Sequence, residues 1–132
     1  MNAIALPQDR STFLRRVLLV DAATCLATGA LLVIDAAPLA SMLALPFELL
    51  RYAGFSLFPI AVFMALVATR ATPPRAGVWL VIAGNVAWVL GSALVMALCS
   101  PTLLGYAFVG AQAAAVALLA ELEYVGLRRL AA

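Results

Sequence analysis

Residues 77–98 read GVWLVIAGNVAWVLGSALVMAL, 22 positions without a charge. An α-helix rises about 1.5 Å per residue, so a run of this length crosses the ~30 Å hydrocarbon core of a bilayer. A membrane-spanning strand would alternate apolar and polar residues over about ten positions. Here the apolar run is continuous and rich in Ala, Leu and Val, so it reads as a helix. Its polar residues are Asn85, Trp88 and Ser92, at steps of three and four, which is one face of that helix.

Three comparable runs lie outward from it, at 17–37, 49–69 and 102–120. The separators carry turn chemistry: Pro38 and Pro46, then Thr72-Pro73-Pro74-Arg75, then Ser100-Pro101-Thr102. The last is short enough to force a tight hairpin. Leu39–Leu45 is apolar but too short to cross, so it is expected along the outer interface or dipping beside the bundle. The expected fold is all-α: a polytopic membrane protein with four transmembrane helices in an antiparallel bundle, residues 17–122. It lies between a cytoplasmic N-terminal segment, 1–16, and a cytoplasmic tail, 123–132.

Composition agrees. Of 132 residues, 67% are hydrophobic and 11% charged, against about 25% charged in soluble domains. Mean hydropathy is +1.14. A soluble domain this small exposes too much surface to hide so much apolar material. There is no His, and all eight cations are Arg. That excludes His-based triads, imidazole metal sites, lysine Schiff bases and the phosphate-loop lysine.

Charge placement sets the expected orientation. Arg10, Arg15, Arg16, Arg70, Arg75, Arg128 and Arg129 fall on one side of a four-span layout. Only Arg51 falls on the other, with Glu48 three residues before it as the expected partner. Arginine-rich loops stay cytoplasmic, so both ends are expected inside. The Arg-only, Ala-rich composition suits a GC-rich bacterial genome, and the expected location is the bacterial inner (cytoplasmic) membrane, multi-pass.

Polar groups inside hydrocarbon are costly and face protein or water. On the first span, Asp21, Thr24, Cys25, Thr28, Gly29, Leu32 and Asp35 share a helical face. On the fourth, Gly105, Val109, Gln112, Val116 and Glu123 do the same. Asn85 and Gln112 both fall near the midplane, which predicts an amide–amide bond worth about 0.6–2 kcal/mol. Asp21 lies roughly 6 Å inside the inner edge, where Arg15 or Arg70 is expected to reach it. Ser11 or Thr12 is expected to cap the first helix. Trp79 and Tyr124 read as inner-boundary anchors, Tyr52 and Tyr106 as outer ones. Small residues four apart (Gly110 and Ala114, Ala113 and Ala117, Ala61 and Ala65) imply close packing or a homo-oligomer. Cys25 and Cys99 are about 20 Å apart along parallel helices, beyond disulfide reach.

The segments Gly84-Asn85-Val86-Ala87-Trp88 with Ser92, and Gly110-Ala111-Gln112-Ala113 followed by Glu121-Leu122-Glu123, resemble those of small bacterial four-helix integral membrane proteins with no assigned activity. The resemblance implies a fold and no mechanism. The expectation is a structural or accessory bundle that is not an enzyme and has no cofactor, metal or catalytic residue. The alternative is a minimal transporter or a small-molecule- or lipid-binding bundle, with a pocket of Asp21, Thr24, Thr28, Asn85, Trp88 and Gln112. An intramembrane enzyme would need paired carboxylates, for which Asp21 and Glu121 are the candidates. The expected partners are the lipid bilayer, a second copy of the chain, and a lipid or small amphiphile, with no nucleic acid.

Overall fold

Four long helices carry the apolar runs in the computed structural model, which describes the backbone of residues 7–131 and the side chains of 11–130. Arg10, counted above for orientation, has its side chain outside the described residues. The order is α1 (Pro7–Ile34), α2 (Ala36–Leu43), α3 (Phe47–Ala68), α4 (Arg75–Leu98) and α5 (Leu103–Ala131). Among the described residues there is no strand. The four long helices are each long and apolar enough to cross a membrane, the layout of a polytopic bundle. Three boundaries differ from expectation: the first span, expected to run to 37, ends at Ile34, and α2 takes over from Ala36. α1 begins at Pro7, so Ser11 and Thr12 are not its caps, and α5 runs unbroken through the segment read as a tail.

The helix ends follow from local chemistry. Pro73 and Pro74 have no N–H to continue α3, and Pro74 is extended (φ −65°, ψ 133°) where α4 starts. Ser11 Oγ donates to the Ala71 carbonyl (2.6 Å), and Arg15 Nε donates to that of Ala68 (2.9 Å). Both carbonyls sit at the end of α3, where helical partners run out and positive charge is favoured. Arg15 therefore serves a helix terminus rather than Asp21. Thr102 Oγ1 accepts from the Gly105 N–H (3.0 Å) and caps α5. The same residue donates to α2, from its N–H to Leu43 O (3.1 Å) and from Oγ1 to Met42 O (2.9 Å). That pins α2, the short apolar stretch, to the start of α5.

α2 ends on Ala44 in the left-handed region (φ 55°, ψ 50°). Only glycine adopts that conformation without steric cost. Ala44→Gly is expected to stabilise the protein by about 1 kcal/mol, seen as a higher midpoint in an SDS titration of protein in mild-detergent micelles.

α1 packs most extensively on α3, and α4 on α5, while α1 and α5 join the two pairs. At the α1–α3 crossing, a Cβ built on Gly54 would lie 2.9 Å from Leu32 Cβ and 3.0 Å from the Gly29 carbonyl oxygen. The backbones approach that closely because neither position carries a side chain. α3 and α4 barely touch, and α1 and α4 have no backbone proximity. The ring α3–α1–α5–α4 is thus nearly open between α4 and α3.

One apolar cluster (Leu14, Leu18, Met64, Val67, Val78, Val81 and Leu127 among others) fills the end near the α3–α4 turn, and a second (Leu32, Leu43, Leu45, Leu50, Leu57, Val109) fills the other. The described side chains of Arg15, Arg16, Arg70, Arg75, Arg128 and Arg129 all lie toward the first side. Arg51, on the second, lies over Phe47 and Phe55 (6.0 and 5.6 Å to the ring centres) and makes no ion pair with Glu48. Large apolar residues point outward, Leu90 at 66% exposure and Leu98 at 73%. In water that surface would aggregate; in lipid it is the solvated face.

Candidate functional site

Helical spacing on α1, α4 and α5 brings three polar side chains to one buried point. Asp21 is 1% exposed, Asn85 5% and Glu123 0%. The Asn85 amide nitrogen donates to Asp21 Oδ2 and to Glu123 Oε1, each at 2.8 Å. An amide has two such hydrogens, so both are used. Asn85 thereby bridges α1 and α4, whose backbones stay apart. The other oxygen of Asp21 faces the Cys25 thiol (Sγ to Oδ1 3.8 Å). Cys25 also approaches Met64 Sδ on α3 (4.0 Å). Among the described residues, no arginine forms an ion pair with either carboxylate.

A second polar cluster sits further along α4 and α5. Trp88 Nε1 donates to Gln112 Oε1 (2.7 Å), Gln112 Nε2 donates to Ser92 Oγ (2.9 Å) and to the Val109 carbonyl (2.9 Å), and Ser92 Oγ donates to the Trp88 carbonyl (2.8 Å). Every amide and indole donor has an acceptor. The expected Asn85–Gln112 bond is therefore not made. Each amide is held by nearer partners, Asn85 by carboxylates, which are the stronger acceptors, and Gln112 by the indole of the same hairpin.

The opening between α3 and α4 holds a cavity of about 610 Å³. Asp21, Thr24 and Thr28 of α1, Asn85 and Trp88 of α4, and Gln112 of α5 all line it. The structure thus brings the six residues of the expected pocket to one space. The other walls are apolar, including Ile60, Phe63 and Met64 of α3 and Leu119 of α5. Pro59 of α3 also faces the cavity; it lacks the N–H that would bond the Phe55 carbonyl. A second cavity of about 360 Å³ continues the cleft toward α2 and shares Thr28, Gly84, Trp88 and Gln112 with the first. Ile60, Phe63 and Leu80 line the first cavity yet are exposed on the outer surface, so the cleft opens sideways. Gly84 and Gly91 have no atom within 4 Å of where a side chain would start, so at these two positions the α4 wall is backbone.

Two expected features are placed differently. The carboxylate beside Asp21 is Glu123, not Glu121, which is exposed. Asp35, on the predicted face of α1, is exposed at the start of α2. Among features read from the sequence, Trp79 stacks at a tilt on Tyr124 (5.8 Å, 58°), at the level of the arginine-rich end. Both cysteines are free thiols. Comparison with protein-family models, with curated proteins and with solved structures finds no match.

Proposed function

We propose that this chain is a ligand-binding bundle of the bacterial inner membrane, with both ends in the cytoplasm, that takes a small amphiphile from the lipid through the α3/α4 opening. Binding, not covalent conversion, is the role assigned to it. The orientation rests on the arginine asymmetry and the positive-inside rule. The observation that carries the binding role is the pairing of an unbalanced polar cluster with a cleft. Asp21 and Asn85 line a cavity of about 610 Å³ that is mostly apolar and open to the side. Ligand sites have that make-up, mostly apolar with a few convergent polar groups. A purely structural bundle has no use for two buried carboxylates without a counter-charge, since burying a charge is expensive. The Trp88–Ser92–Gln112 cluster, by contrast, is internally satisfied and acts as interhelical glue.

The test uses Gly84, which lines both cavities and has open space around it. Gly84→Leu fills the cleft without touching the packed core. Native mass spectrometry from mild detergent should show a retained lipid or small-molecule adduct on the wild type and its loss in Gly84→Leu. A wild type that carries no adduct, and a Gly84→Leu variant with the same mass profile, would remove the proposal. The exposed glycine face of α4 also favours a second use of the seam, as packing surface for another copy. In that case the same spectra would show a dimer that Gly84→Leu converts to monomer.

A further inference from the structure

The two cavities form one cleft. They share Thr28, Gly84, Trp88 and Gln112, which make a waist between two unlike ends. Toward the arginine-rich end, Asp21 and Asn85 line the wall. Toward the Arg51 end, the lining includes Leu32, Leu45, Leu50, Val95 and Phe108, and Ser92 is the one polar residue added among the described residues.

Hydrogen bonding decides which part of a ligand each end accepts. At the waist, Trp88 Nε1 is spent on Gln112, and Gln112 Nε2 is spent on Ser92 Oγ and the Val109 carbonyl. Ser92 Oγ in turn donates to the Trp88 carbonyl. The donor left there is the Thr28 hydroxyl, which no hydrogen bond engages among the described residues. At the polar end Asn85 has spent both hydrogens, whereas the Asp21 carboxylate takes one strong bond and has acceptor positions to spare. A head group there must donate hydrogen bonds, and an anionic head would find no donor. Past the waist every side-chain polar hydrogen is spent, which suits hydrocarbon.

We propose that the second cavity is a tail slot, and that the cleft takes a single-chain amphiphile with a neutral hydroxyl head and a tail of medium length; the assignment rests on the cleft being a ligand site. The head hydroxyls donate to Asp21, an oxygen at the head–tail junction accepts from Thr28, and the chain passes Trp88 into the slot. Two measures agree on the tail. α4 lines the slot from Gly84 to Val95, about 16 Å of helical rise, and an extended chain crosses that in about a dozen bonds. The slot volume of about 360 Å³ holds about a dozen groups the size of water, at roughly 30 Å³ each, and a methylene is of that size. A lipid of the inner leaflet already has this orientation, head toward the arginine-rich side and tail toward the midplane. It enters through the α3/α4 opening without turning over.

The experiment is native mass spectrometry of the full chain in mild detergent, offered an equimolar mixture of octanoyl, decanoyl, dodecanoyl, tetradecanoyl and hexadecanoyl monoglycerides. Each adduct is divided by that on Gly84→Leu, whose filled cleft reports micelle partition alone. On the wild type the dodecanoyl adduct should exceed the octanoyl and hexadecanoyl ones by about fivefold, since a short tail leaves a void and a long one overpacks. Gly91 lines the second cavity and not the first, with open space around it. Gly91→Leu should therefore keep a bound monoglyceride but move the maximum to octanoyl. A wild-type profile that is flat, or that climbs steadily to hexadecanoyl, would overturn the tail slot and leave the cleft as a ligand site. So would a Gly91→Leu variant with the wild-type profile, or one that loses all lengths alike. Equal adducts on Gly84→Leu and wild type would overturn the ligand site itself. The wild-type profile decides even if Gly91→Leu does not fold.

Discussion

Replacing Asn85 with leucine is expected to cost about 3 kcal/mol, because two carboxylates would be left buried without their shared donor. Hydrogen bonds to charged groups are worth roughly 1.5–3 kcal/mol each, and an orphaned buried charge costs more than a lost neutral bond. The loss should appear as a lowered midpoint in SDS titration and a smaller folded fraction after extraction. Gln112→Leu provides the contrast. It removes a neutral network, so about 1 kcal/mol is expected. A triple variant, Asp21→Leu with Asn85→Leu and Glu123→Leu, should recover most of the stability, since apolar replacement of a buried ionic cluster is often neutral or better. If Asn85→Leu is as stable as the wild type, the cluster is not the buried junction described above.

Gly105→Ala is the second large effect. A Cβ there would run into the backbone carbonyl of Leu43 and come within 2.7 Å of Pro101 Cβ. Neither neighbour is a flexible side-chain end, and the Leu43 carbonyl is held by the Thr102 N–H. The α2–α5 junction must open. Gly54→Ala meets Leu32 and Val33 at 2.9 Å and should behave alike. Overpacking of this kind costs about 1–3 kcal/mol. Gly91→Ala and Gly110→Ala meet nothing within 4 Å and are expected to change the midpoint by about 0.5 kcal/mol or less, as at ordinary surface sites. A flat response across all four glycines would contradict the helix packing.

Much of this layout was legible in the sequence. Apolar runs near 20 residues and proline-marked turns locate the four long helices, since bilayer thickness and the missing proline N–H leave few alternatives. Helical periodicity then placed Asp21, Thr28, Asn85, Trp88 and Gln112 on faces that do line one cavity. Hydrogen-bond pairing was not legible. Similar depth made Asn85 and Gln112 look like partners, but depth leaves open the azimuth at which helices face each other. Glu123 falls outside the expected pocket because the expected span stops at 120, before Glu121. The signal was present, for Gln112, Val116 and Glu123 share a face, and a fully buried carboxylate beyond a charged neighbour follows once α5 is allowed to continue. The close approach at Gly29 and Gly54 needs contact between two helices, which no single helical pattern contains.

The backbone gap between α1 and α4 also bears on biogenesis. Translation proceeds from the N terminus at about 5–20 residues per second. Asp21 is made 64 residues before Asn85, and Glu123 follows 38 later still. The first hairpin therefore waits several seconds in the translocon or the bilayer with an acidic group whose partners have not been synthesised. The glycine-mediated clasp of α1 and α3 holds that hairpin together meanwhile, and the arrival of α4 and α5 completes the fold when Asn85 joins Asp21 to Glu123.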